Sequence, residues 1–134
     1  MESLIIPNEI FFSHITEEIN LGNTVKIPVK GNSMLPFIHP FSDEIELRGL
    51  SENSLEKGNI VLAKTTENKY VVHRIEKVGQ ETVVLRGDGN LSVREVCGKN
   101  NIFAEITAVY KKNKKIEKNS FRWNVAKRYW FSNA

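Results

Sequence analysis

The chain has 134 residues, 40% of them hydrophobic and 26% charged, with 19 Lys and Arg against 16 Asp and Glu for a net charge of +3. That is the length of one domain, too apolar to stay disordered, and its single cysteine, Cys97, excludes an intramolecular disulfide framework. The charge is uneven: residues 111–134 hold eight basic side chains and one acid, a local balance of +7 that leaves −4 for the first 110 residues.

No window reaches the roughly 20 apolar residues of a membrane span. The opening MESLIIPNEIFF lacks the basic start and apolar core of a secretory signal. A cytoplasmic chain without transmembrane segment or signal peptide is the expectation.

Within residues 8–21, Phe11, Phe12, Ile15 and Ile19 fall at helical spacing with Glu9, Glu17 and Glu18 elsewhere on the wheel, which predicts a short amphipathic helix ended by Gly22-Asn23. From Thr24 the period changes to two. Val25, Ile27 and Val29 alternate with polar neighbours, predicting a strand over 24–30 with one buried face, and Pro28 places it at a sheet edge or bulge. Further strands are predicted at 43–48, 59–64, 69–78, 81–86 and 102–110, punctuated by Gly49, Lys57-Gly58-Asn59, Glu67-Asn68, Gly79-Gln80 and Gly87-Asp88-Gly89-Asn90. Short strands with no helix between them predict a mainly β fold, a coiled antiparallel sheet or partly open barrel.

After a lysine-rich connector over 111–119, Phe121, Val125 and Tyr129 recur every four residues and predict a C-terminal amphipathic helix. Two readings stand for it. It packs its apolar face on the sheet, or residues 111–134 make a peripheral membrane contact through interleaved aromatic and basic side chains. No recognised motif accompanies the charge, so no nucleic-acid partner is expected. The layout is one domain over 1–134: an N-terminal helix (1–23), a β core (24–110), and the basic connector with its helix (111–134).

Three places carry candidate chemistry. In Gly31-Asn32-Ser33-Met34-Leu35-Pro36, a glycine two residues before the serine frees the backbone and a proline three residues after it fixes the exit. A nucleophilic hydroxyl needs such a turn, although ordinary turn chemistry accounts for it equally. His73 lies on a strand face with Lys69, Val71 and Ile75, either as a half-buried core histidine or as a general base. Asp88 sits in an Asp-Gly turn, a hairpin signal that could instead supply a carboxylate to the imidazole.

Taken in order, Gly-x-Ser-Met-x-Pro at Gly31, Ser33, Met34 and Pro36, the Gly58-Asn59-Ile60-Val61 corner, the His73-Arg74 pair and Gly87-Asp88-Gly89-Asn90 resemble the serine peptidase superfamily of signal peptidases and LexA-type self-cleaving repressors. The resemblance spans about Val25 to Ala108. It implies a mainly β peptidase fold acting on an extended peptide or precursor-protein substrate with small side chains beside the cut, and needing no cofactor or metal. It assigns Ser33 as nucleophile, His73 as general base and Asp88 as third member, with Gly31, Met34, Pro36, Arg74 and Asn90 as supporting motif positions.

The chain also departs from the pattern. His73 stands where most bacterial signal peptidases carry lysine, so the resemblance is to the histidine-using branch. Gly31 replaces a hydroxyl that often helps bind the oxyanion, and Asn59 replaces the corner aspartate as a structural residue. Lys69 is a rival base, but about 13 Å of strand separates its Cα from that of His73, so at most one serves Ser33. His14 and His39 form no metal-ligand spacing, and Cys97 reads as a small, partly buried side chain. A self-cleaving repressor fragment and a non-catalytic module that holds a peptide along the strand 24–30 are the alternatives.

Overall fold

The computed structural model describes residues 9–29, 31, 33–40, 42–89, 92–112 and 114–132. A helix, α1 (Glu9–Asn20), precedes the strands β1 (Val25–Pro28), β2 (Asp43–Arg48), β3 (Ile60–Lys64), β4 (Tyr70–Val78), β5 (Thr82–Arg86), β6 (Glu95–Gly98), β7 (Ile102–Lys111) and β8 (Lys114–Glu117). A second helix, α2 (Phe121–Ser132), follows them. All strand pairs are antiparallel, in the order β1-β2-β7-β3-β4-β5-β6 with β8 also on β7, so the sheet is not closed.

β7 is the spine. Glu105–Lys111 pair with β2, while on the opposite edge Ile102–Glu105 pair with β3 and Ala108–Lys111 with β8. β1 pairs only with β2 among the described residues, which leaves its other edge open and puts Pro28 on the edge strand expected for it.

The period of two sorts side chains into two cores. Ile60, Leu62 and Val72 point to the larger core with Ile45, Leu47, Ile106, the α1 residues Ile15 and Ile19, and Trp123 of α2. Their strand neighbours Val61, Ala63, Val71 and Ile75 face the other way and meet Val83, Leu85 and Cys97 of β5 and β6. The sheet curls to enclose this second core, with the Thr66 N–H donating to Val96 O at 2.9 Å across the curl.

α1 ends as its sequence predicts. Gly22 adopts φ +89°, and the Gly22 and Asn23 N–H groups donate to Ile19 O and Glu18 O at 2.9 and 3.1 Å, the paired bonds of a Schellman cap. Three elements differ from expectation. β6 and β8 arise in segments with no usable alternation, β8 inside the lysine-rich connector. Gly87-Asp88-Gly89 does not close a tight hairpin either, since β5 ends at Arg86 and β6 begins only at Glu95.

The apolar stripe of α2 is also reversed. Trp123 and Trp130 are buried, whereas Phe121, Val125 and Tyr129 are 83, 51 and 46% exposed. Trp130 wins the inner face because its ring lies against two buried guanidinium groups, with Arg86 and Arg74 5.0 and 5.9 Å from its centroid. The basic tail meanwhile answers the acidic body: Lys111, Lys118 and Lys115 stand against Asp43, Glu105 and Glu46. No helix among the described residues is long and apolar enough to cross a membrane.

Candidate active site

Ser33 leaves the edge strand through Gly31, whose φ of +84° explains the glycine. The turn that follows is held from below by Met34 and Ile38, both buried in the larger core, and the Ile38 N–H donates to Met34 O at 2.9 Å. The Leu35-Pro36 peptide is cis.

From the other side the β5–β6 link docks onto Ser33. The Gly89 N–H donates to Ser33 O at 2.8 Å, and the Asp88 N–H approaches Met34 Sδ at 3.4 Å. The fit requires Gly87, since a Cβ there would stand 2.3 Å from Ser33 O.

His73 reaches this turn from the middle of β4, opposite Val61 of β3. Its Nε2 lies 2.8 Å from Ser33 Oγ, with both residues buried. On the far side of the ring, Oε1 of Glu95 stands 2.5 Å from Nδ1. The approach is close but does not meet hydrogen-bond geometry, so Nδ1 has no hydrogen-bond partner among the described residues. Glu95 and Cys97 lie two apart on β6, and Cys97 is buried in the second core, the core that Val71 and Ile75 flank on the His73 face of β4.

Asp88 does not supply this carboxylate. Its Oδ1 and Oδ2 accept from Arg74 Nε and Nη2 at 2.7 Å each, and Arg74 Nη1 donates to Gly58 O at 2.9 Å. With both residues buried, the pair is a bidentate lock between β4 and the β5–β6 link. The expected partnership of Asp88 with His73 is corrected on this ground: the more basic, fork-shaped neighbour occupies both oxygens.

Arg74 therefore has a structural part, and so has Asn59, whose amide donates to Asn53 O and Ser54 O at 3.1 and 2.9 Å. Asn90 falls outside the described residues. Lys69 lies before β4, and its amine sits 3.9 Å from Glu67 with the side chain 62% exposed, so it is no partner of Ser33.

Glu95 is the residue that sequence reasoning missed. The segment Ser92–Gly98 shows no alternation, so β6 was not predictable from its pattern. The available signal was a carboxylate two residues before an apolar Cys97. That cysteine is inert as a nucleophile, because burial, with the negative charge of Glu95 adding to it, pushes its thiol up to about 11. Chemically, a hydroxyl hydrogen-bonded to an imidazole that faces a carboxylate is an arrangement for proton abstraction from Ser33. Compared with known proteins, the chain matches no family model, no curated protein and no solved structure.

Proposed function

We propose that this chain is a serine endopeptidase of the signal-peptidase-like kind, with Ser33 as nucleophile and His73 as general base. The observation that carries the reading is the buried 2.8 Å contact between Ser33 Oγ and His73 Nε2, made by residues 40 positions apart in sequence. His73 accepts the Ser33 proton as Oγ attacks the peptide carbonyl, then returns it to the leaving amine, and water repeats the sequence to release the acyl group. Glu95 takes the third role in place of Asp88, because its oxygen faces Nδ1 and stabilises the imidazolium formed during attack.

The substrate is an extended peptide or precursor segment. Support for that class comes from β1, which among the described residues pairs only with β2, so that its other edge offers backbone groups to an added strand, and whose last residue lies five positions before Ser33.

The test is cleavage of extended peptides with small side chains beside the scissile bond, followed by mass spectrometry. Wild type cleaves, and Ser33→Ala and His73→Ala each lose at least about 10³-fold in turnover. Cleavage at the wild-type rate by either variant overturns the assignment.

A further inference from the structure

We infer that the outer face of α2 and the groove beside it bind an anionic lipid bilayer surface, independently of the chemistry at Ser33. A groove of about 640 Å³ runs between α2 and the segment from Pro36 to Asp43, and Phe37, Phe121, Val125 and Tyr129 supply its apolar walls. Phe121, Val125 and Tyr129 follow one another at four-residue intervals, so they form a single stripe along the helix. That stripe faces away from the sheet while Trp123 and Trp130 hold the inner side.

The charges around the groove have one unpaired sign. Its two acids are engaged, Asp43 by Lys111 and Asp88 by Arg74. Its cations Lys112 and Arg122 have no carboxylate partner among the described residues, and neither have Lys114 and Arg128 on the same segment. The surface is thus apolar and aromatic at its centre and cationic at its rim, which complements acyl chains beneath an anionic headgroup layer.

The exposure of the rings favours a bilayer over a peptide. Phe121 lies at the lip of the groove and stands out at 83% exposure, an apolar surface that acyl chains would cover, and Tyr129 adds a second, half-exposed ring beside it. The inner face of α2 stays anchored meanwhile: Trp123 packs edge-on to Phe37 with centroids 5.5 Å apart, so the helix need not unfold or leave the sheet to present its outer stripe.

The test is co-sedimentation of the full chain with phosphatidylcholine vesicles and with phosphatidylcholine–phosphatidylglycerol vesicles. The expected result is binding to the anionic vesicles at least about tenfold tighter than to the neutral ones, weakening as salt is raised. Phe121→Ser with Tyr129→Ser, and separately Lys112→Glu with Arg122→Glu, each lower that affinity about tenfold or more. All four side chains lie on the outer surface, and the near-ultraviolet circular dichroism of Trp123 and Trp130 verifies that the variants stay folded. Absence of binding to anionic vesicles, equal binding to neutral ones, or variants that bind like wild type each overturn the inference. So does capture of an acidic amphipathic peptide by a chain that ignores vesicles.

Discussion

Arg74 and Asp88 face each other through two parallel hydrogen bonds of 2.7 Å, and neither is exposed to water. This pair fastens the β5–β6 link to β4, and through that link it fixes the backbone of Ser33. Removing one charge leaves the other buried and uncompensated. Asp88→Asn is therefore expected to lose roughly 3 kcal/mol of stability in denaturant unfolding. An unfolding midpoint equal to that of wild type would show that the pair is not the lock described.

Glu95 predicts the opposite signature. It is partly exposed at the sheet edge and faces His73 Nδ1, so Glu95→Gln keeps the size of the side chain and removes only the charge behind the ring. Turnover is expected to fall by at least about 10²-fold with little change in melting temperature. Binding of an unreactive peptide should stay near wild type. A kcat like that of wild type would return Glu95 to a purely structural part.

Gly87 tests the docking of the two loops. The Cβ of Gly87→Ala would stand 2.3 Å from Ser33 O, and because that neighbour is backbone it cannot rotate away. The link must shift, at a cost of roughly 1–3 kcal/mol as in other overpacked sites. Calorimetry should find the loss, and peptide cleavage should fall with it as Ser33 moves relative to His73. An alanine variant with native stability and activity would contradict this tight approach.

Glu76 gives the pH dependence of stability. The hydrogen bonds from Arg94 hold its carboxyl below the ordinary 4.5, partly opposed by burial and helped by Arg86, a fully buried guanidinium 3.2 Å away. A folded-state value below the unfolded one means that the stabilisation is complete above about 4.5 and is lost as pH falls through the folded-state titration. Thermal melts of wild type and Glu76→Gln should differ at neutral pH and converge in acid. A gap that is constant with pH would contradict the assignment.

Much of the fold was legible because burial imposes periodicity. The alternation in Val25–Val29 and in Val71–Ile75, and the Gly22 stop after α1, appear in the structure as read from the residues. Ser33 and His73 were visible as residue types in suitable places, but their contact depends on a sheet that curls, which no local pattern encodes.

The misassigned carboxylate has a physical reason. Asp88 and Glu95 are both acids after β5; Arg74 takes both oxygens of Asp88, and it is Glu95 that faces the imidazole. The helix α2 misled for a related reason: its four-residue spacing is real, but the flat Trp130 ring covers buried Arg86 and Arg74 better than the Phe121 stripe would.

Activation of Ser33 by His73 can be measured without knowing the substrate, by exposing the chain to a fluorophosphonate probe and following intact mass and peptide mapping. One adduct is expected, located on Ser33 and lost in His73→Ala. No adduct on Ser33, or an adduct that forms equally fast in His73→Ala, would contradict that activation.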